Sequence, residues 1–144
     1  MPTVSRTFVV QPDPATVIGY LKDFSHAEEW DPGTVTCTRE DTNPVQVGSR
    51  FHNVSKIAGV TTELDYRLDT LTAGSIVFIG ENDSATSTDT ITVRPHARGS
   101  EVTYEAVIEA KGLAKLAEPL MKLVIERIGT KTEKRLTEVL NTLV

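Results

Sequence analysis

The sequence predicts an α+β fold in which a curved antiparallel sheet wraps around one long C-terminal helix. Strand-like segments separated by short turns fill most of the chain between residues 34 and 110. Two of these segments alternate cleanly between apolar and charged side chains, which indicates a sheet with one covered face and one wet face. A helical pattern of apolar residues then begins near Gly112 and supplies the cover for that sheet.

Two short helices are predicted between the first strand and the rest of the sheet. Asp13 is a suitable N-cap for the first helix, and Pro14 suits its first position. A second short helix fits residues 25–29. Ser25 is its predicted N-cap, and Glu28 occupies the position that completes a capping box.

Seven segments have the composition and alternation of strands, and the short turns between the last six make their pairing antiparallel. In the fourth segment Leu64 and Leu68 lie on the opposite face from Arg67. This alternation places Arg67 outward, because a register slip of one residue would bury Glu63 and Asp65 instead. The predicted strands cover residues 3–10, 34–41, 49–57, 61–71, 75–81, 87–94 and 100–110.

The C-terminal helical pattern covers residues 112–144 and has one apolar stripe that is predicted to face the sheet. Pro119 is expected either in the first turn of the helix or at a kink. Gly129 lies in the middle and is expected to weaken or bend the helix. The stripe consists of Leu116, Leu120, Val124, Ile128, Leu136, Val139, Leu140 and Leu143.

Composition and charge restrict the classes of partner. The chain has 144 residues, with 15 Lys and Arg against 20 Asp and Glu, so its formal charge is −5. A negative chain is a poor partner for nucleic acids and anionic membranes. Its longest apolar runs are far too short for a membrane span, and no signal pattern opens the sequence. We expect a cytoplasmic protein, monomeric or weakly dimeric, without nucleic-acid binding or stable membrane insertion.

Neither a metal site nor a cofactor is predicted. The single cysteine, Cys37, excludes an internal disulfide and any multi-cysteine metal site, and its strand context predicts a buried, unreactive thiol. His26, His52 and His96 are widely separated and lack the spacing of metal ligands. No glycine-rich phosphate loop and no nucleophile-elbow motif occurs in the chain.

Four features of the chain together resemble the START-like, helix-grip superfamily (SRPBCC), in particular its bacterial polyketide cyclase/dehydrase branch. They are the segment 12–17 after the first strand, residues 21–33 with their closing Trp-Asp-Pro-Gly, the Gly-x-x-Phe strand opening at 47–51, and residues 99–104 before the last helix. Each feature is loose alone, but their order and spacing extend over the whole chain. The resemblance implies a single START-like domain over residues 1–144, with a seven-stranded sheet gripping the helix around an apolar cavity.

The resemblance also implies which side chains contact a hydrophobic ligand in that cavity. Trp30 either stacks on a flat ligand or plugs the core between the short helices and the sheet. The hydroxyls of Tyr66 and Tyr104 need partners, which are a ligand carbonyl, a water, the rim or a backbone group. Asn53 is a candidate polar anchor if its strand turns Phe51 inward. The predicted ligand-binding residues are Trp30, Phe51, Asn53, Tyr66, Phe78, Tyr104, Leu120, Met121, Val124 and Ile128.

The facing of two further charged residues is left open by the sequence. Arg6 is in phase with apolar positions of the first strand, and Asp89 lies in a threonine-rich strand whose two faces look alike. An inward arginine would anchor an anion or a carbonyl, and an inward carboxyl would have a raised pKa. Aromatase/cyclases of the similar superfamily carry an inward arginine that has no counterpart on the apolar face of residues 61–71. No catalytic set is therefore assigned.

Three functions compete at this point. The first is binding of a lipid or aromatic polyketide-like molecule by a carrier or sensor. The second is a polyketide cyclase or dehydratase, whose pocket would fold the chain while one or two polar groups move protons. The third is a protein-interaction domain with a filled core. An inward ionisable group beside an inward hydroxyl would favour the enzyme, an all-apolar cavity the carrier, and a filled core the interaction domain.

Overall fold

The computed structural model describes residues 1–144 and confirms the predicted fold class, strand number and order of elements. Two short 3-10 segments accompany the strands and helices. The strands are β1 (Thr3–Val10), β2 (Thr34–Arg39), β3 (Arg50–Ile57), β4 (Val60–Leu71), β5 (Ser75–Glu81), β6 (Ala85–His96) and β7 (Gly99–Ala110). The helices are α1 (Pro14–Leu21), α2 (Ala27–Trp30) and α3 (Glu118–Asn141).

All seven strands form one antiparallel sheet in the order β1-β7-β6-β5-β4-β3-β2. Strands β2 to β7 form a meander, and β1 returns to pair with β7 over its whole length. The register shifts in β2 between Thr34 and Thr36 and in β4 between Leu68 and Thr70. Such irregularities bend a strand and increase its twist, so they help the sheet to curve around α3.

The inner face of the sheet is divided between a packed end and an open end. At the packed end Phe24 lies against Phe78 and Tyr66, with ring centroids 4.4 Å and 4.6 Å apart. The short helices and the C-terminal half of α3, with Leu136 and Leu140 fully buried, complete this core. At the open end the N-terminal half of α3 crosses the sheet and leaves a cavity beneath it.

Helix capping differs from the prediction in the second short helix. Asp13 caps α1 as predicted, since its carboxylate accepts from the amide of Thr16. In the next segment Asp23, rather than Ser25, is the N-cap, and it accepts from both the amide and the hydroxyl of Ser25. Glu28 completes no capping box. Its carboxylate instead accepts from the amide of Cys37 and ties α2 to β2.

The start of α3 and its predicted apolar stripe are also corrected. A 3-10 segment covers Gly112–Ala117, and Pro119 stands in the first turn of the α-helix, one of its two predicted places. The stripe is wrong at its first two positions, because Leu116 and Leu120 are 83% and 66% exposed, whereas Val124 and Ile128 face the cavity. This part of the helix is apolar on two sides, so its periodicity does not identify the inner one. The buried positions of α3 are Ile125, Gly129, Thr132, Leu136 and Leu140.

Gly129 does not interrupt α3, which continues to Asn141. Its role is close packing, since a Cβ atom at this position would lie 2.5 Å from Cγ2 of Val4 on β1. The absence of a side chain therefore allows α3 to approach the edge of the sheet closely.

We expect Gly129→Ala to destabilise the protein by about 1–2 kcal/mol in chemical denaturation. Overpacking against Val4 costs about 1–3 kcal/mol, and the higher helix propensity of alanine offsets up to about 1 kcal/mol of that cost. Val4→Ala should restore the space, so the double variant should be more stable than the sum of the single effects. Strict additivity of the two substitutions would contradict this contact.

Candidate functional site

A cavity of about 290 Å³ lies between the open end of the sheet and the N-terminal half of α3. Its walls are mainly apolar, with contributions from β3, β4, β7 and α3. The cavity exists because the inner positions of the sheet carry small side chains here, such as Ala106, whereas the packed end carries large rings. The principal apolar lining residues are Val4, Ile57, Leu64, Ala106, Ile108, Val124 and Ile128.

Four polar side chains of the cavity form a cluster around Asp89, which is buried on the inner face of β6. One carboxylate oxygen accepts a hydrogen bond from the Ser87 hydroxyl at 3.1 Å, and the other accepts from the Tyr104 hydroxyl at 3.2 Å. Tyr66 extends its hydroxyl toward Ser87 from β4. All four side chains line the cavity, so a bound molecule would meet this polar cluster directly.

Burial controls the ionisation of this polar cluster. Burial, together with the charge of Asp31, raises the pKa of the Asp89 carboxyl to about 7, although the two hydroxyl donors oppose the shift. Burial also raises the pKa of Asp31 and holds the pKa of Tyr66 and Tyr104 well above the ordinary value. Near neutral pH the carboxyl of Asp89 can therefore release or hold a proton, and both phenols keep theirs.

Gly80 on β5 makes room for the Tyr66 ring. A Cβ atom at Gly80 would lie 2.6 Å from Cε1 of Tyr66, so the ring rests directly on the backbone of the neighbouring strand. This contact allows Tyr66 to extend across β5 toward β6, where its hydroxyl lies near Ser87. A side chain at position 80 would displace the ring from the polar cluster.

Comparison with known proteins identifies the family of this chain. The sequence profile of a family described as polyketide cyclase/dehydrase and lipid transport matches residues 1–141. The chain belongs to this family. The resemblance found in the sequence is thereby confirmed, and the chain is a START/polyketide cyclase-type domain of the kind that binds hydrophobic ligands. No curated protein matches the chain.

Solved structures share the START-like fold of this family member at low sequence identity. A START superfamily protein from Mycobacterium smegmatis has a TM-score of 0.80 at 15% identity, with 99% of each chain covered. A STAR-related lipid transfer protein from Xanthomonas axonopodis has a TM-score of 0.76 at 14% identity, covering 96% of this chain and 85% of that one. The Zhui aromatase/cyclase from a Streptomyces species has a TM-score of 0.73 at 15% identity, covering 94% and 91%.

None of the three helices combines the length and the apolarity of a membrane-spanning segment.

Five of the ten predicted ligand-binding residues line the cavity of this family member. Tyr66 and Tyr104 contribute their hydroxyl ends to the polar cluster. The other three lie on the cavity side of α3, and they are Met121, Val124 and Ile128.

The other five predicted residues do not line the cavity. Phe51 and Phe78 belong to the packed end, where both are fully buried. Trp30 also belongs to that core, and its ring meets Tyr104 edge-on with centroids 5.7 Å apart. Asn53 donates to the Thr34 hydroxyl and accepts from that of Ser55, so its amide is already occupied. Leu120 lies on the exposed side of α3.

Sequence reasoning did not single out Asp31, Ser87 and Ala106, all of which line the cavity. Ser87 and Asp89 lie on the same face of β6 as the apolar Ile91, and this shared face is the signal that could have indicated an inward carboxyl. Threonines at the intervening positions conceal this signal, because they suit either face of a strand. Asp31 was assigned only to a turn, where it does accept from Gly33 and Thr34.

The two arginines occupy different faces of the sheet. Arg6 faces α3, where it donates to the carbonyl and the carboxylate of Glu126 and to the Thr130 hydroxyl. Arg67 lies on the outer face, as the alternation indicates, and pairs with Asp69 and Glu81. Neither arginine lines the cavity.

Cys37 and His52 lie in contrasting environments. Cys37 is buried, as predicted, and burial raises the pKa of its thiol to about 12, so it remains protonated and unreactive. His52 lies on the outer face between Asp65 and Glu63, with nitrogen–oxygen distances of 2.8 Å and 2.9 Å. Its two hydrogen bonds, led by that to Asp65, raise the pKa of the imidazole. Potential ligand atoms of Glu40, His52 and Asp65 lie within 4.8 Å of one another, brought together by strand pairing rather than by sequence spacing.

Proposed function

We propose that this chain binds one hydrophobic small molecule, of lipid or aromatic polyketide-like type, in the cavity between the sheet and α3, as a carrier or sensor. The supporting observation is a cavity with mainly apolar walls and a compact polar cluster around Asp89, a combination typical of small-molecule sites. Burial of apolar surface would supply the affinity, and Asp89, Tyr66 and Tyr104 would orient the polar end of the ligand.

The size of the cavity limits the ligand. A volume of about 290 Å³ lies at the lower end of the roughly 300–1,000 Å³ typical of ligand pockets. A single-chain lipid or a compact aromatic molecule suits this volume better than a two-chain phospholipid. The open volume also counts against the third function, an interaction domain whose core is filled by its own side chains.

The proposed binding is tested with N-phenylnaphthylamine, a neutral apolar molecule whose fluorescence rises in apolar surroundings. We expect saturable binding at one site. Ala106→Leu should weaken it at least about tenfold, because the larger side chain fills the cavity beside Asp89. Ala73→Leu, an exposed change in the β4–β5 turn, should leave the affinity unchanged. Equal affinities for both variants, with both shown to be folded by thermal melts, would rule the cavity out as the binding site.

The Asp89–Tyr104 pair is an inward ionisable group beside an inward hydroxyl, which is the arrangement that favours the enzyme. It supports a second candidate function that requires the same ligand binding, a polyketide cyclase or dehydratase. In a cyclisation, ionised Asp89 would remove a proton from a methylene between two ligand carbonyls, and the resulting carbanion would attack a third carbonyl carbon. Tyr104 would protonate the alkoxide formed there. In the dehydration, the Tyr104 phenolate would take the second proton of the former methylene carbon while protonated Asp89 gives its proton to the leaving hydroxyl, so that a C=C bond forms, water is released and both side chains return to their starting states. Mass spectrometry of a soluble linear polyketone incubated with the protein tests this function. A cyclised product that Asp89→Asn abolishes supports it, and unchanged polyketone from a demonstrated complex excludes it.

A further inference from the structure

We propose that the cavity selects its ligand by charge: it accepts an uncharged hydrophobic molecule whose polar end is a hydroxyl, and it rejects molecules with an anionic head. This inference rests on the proposed function, because it assigns a ligand class to the same cavity. It predicts weaker binding of fatty-acid carboxylates and alkyl sulfonates than of long-chain alcohols, phenols and enols when Asp89 is ionised.

The cavity lining contains acidic side chains but no basic ones. Two carboxyl groups, those of Asp31 and Asp89, are among the lining residues, and no Lys, Arg or His is among them. An anionic head placed in the polar cluster would therefore meet negative charge without a compensating cation. The repulsion is strong because buried charges are poorly screened by water and salt.

Three cationic side chains lie close to the cavity without lining it. Arg6 faces the same helix, but its guanidinium is engaged by Glu126 and Thr130. Arg135, which lowers the pKa of Asp31 through its charge, lies on the exposed side of α3. Lys111 at the cavity end of β7 donates to the carbonyl of Asn82 and lies near Glu81. An anionic ligand could recruit Arg6 or Lys111 only by breaking these contacts, and Arg135 lies outside the cavity lining.

Hydrogen-bond capacity also favours a hydroxyl. The Asp89 carboxylate has about four acceptor sites, and the hydroxyls of Ser87 and Tyr104 fill one on each oxygen. A ligand hydroxyl can donate to a remaining site and accept from the Tyr66 hydroxyl, whereas a sulfonate or carboxylate brings acceptors only. The side chains that face Asp89 are Ser87 on its own strand, Tyr104 from β7, Tyr66 from β4 and Asp31 from the segment after α2.

Displacement of bound N-phenylnaphthylamine by decanol and by decanesulfonate tests the inference, because the two competitors share an alkyl chain and differ in charge. At about pH 8, where Asp89 is mostly ionised, we expect decanol to act at concentrations at least about tenfold lower than decanesulfonate. Asp89→Asn should reduce this ratio by at least about threefold. Asp83→Asn, an exposed change that alters the net charge equally, should leave the ratio unchanged.

A pH series on the unaltered protein provides the second measurement and does not depend on the variant. Decanesulfonate keeps its charge throughout, so its disadvantage should shrink as Asp89 becomes protonated toward about pH 5. Equal displacement by both competitors, or a ratio unaffected by both Asp89→Asn and pH, would overturn the charge selection alone. Failure of the neutral probe to bind at all would overturn the proposed function and this inference together.

Discussion

Gly99→Ala is expected to destabilise the protein by more than about 4 kcal/mol, enough to leave little folded chain. Gly99 opens β7 with φ at +137°, a conformation that side chains rarely adopt. A Cβ atom there would also lie 2.5 Å from the carbonyl oxygen of Val10 and would overlap that of Gln11. Backbone strain and backbone overlap therefore add, and neither can be relieved by rotating a side chain. Circular dichroism and urea denaturation measure the loss.

Two glycine controls separate the causes of this loss. Gly48→Ala combines a positive φ with open space, so it should cost only about 1–3 kcal/mol. Gly19→Ala lies inside α1 with nothing nearby and should stabilise the protein by about 0.5–1 kcal/mol. If Gly99→Ala destabilised the protein no more than Gly48→Ala, the overlap between a Cβ atom at position 99 and the backbone at the end of β1 would be contradicted.

Asp89→Asn is expected to remove most of the pH dependence of the free energy of unfolding. The part due to Asp89 amounts to up to about 4 kcal/mol, because each unit of pKa shift corresponds to about 1.4 kcal/mol. Burial raises the pKa of Asp89 from its usual 3.8 to about 7 in the folded protein. Between these values the folded state keeps a proton that the unfolded chain has lost, so stability falls as pH rises through this window. The asparagine variant carries no proton to lose, and it should be more stable than the unaltered protein above about pH 7.

Urea denaturation of the ligand-free protein at several pH values checks this expectation. Asp31 also has a raised pKa, so the asparagine variant should keep a smaller slope of the same sign. Asp83→Asn, at an exposed position, should leave the slope of the unaltered protein intact. Parallel curves for the Asp89 variant and the unaltered protein would mean that Asp89 is not buried in the folded state.

The sheet was predictable because its signal is local. Alternation with a period of two, as between Leu64 and Arg67 in β4, identifies both a strand and its inner face. The first half of α3 lacked such a signal, since Leu120 and Met121 point to different sides and both are apolar. In that segment tertiary contacts, rather than periodicity, decide which side is covered.

The cavity was less predictable than the sheet because an inward position is not always a cavity position. Phe51 and Tyr66 are cross-strand neighbours on the inner face, yet only Tyr66 lines the cavity. The difference depends on which parts of the sheet α3 and the short helices cover. The alternation of residues within a strand carries no information about that coverage. Asp89 was concealed for another reason, since its threonine neighbours suit either face.

Amide NMR of the isotopically labelled protein during titration with N-phenylnaphthylamine tests the central claim most directly, because it locates the bound molecule. If the cavity is the binding site, the largest shifts will occur at Tyr66, Ser87, Tyr104 and the cavity side of α3, at a stoichiometry of one. Shifts confined to exposed leucines, such as Leu116 in the 3-10 segment and Leu120 in the first turn of α3, would show adsorption on the surface and would contradict the claim.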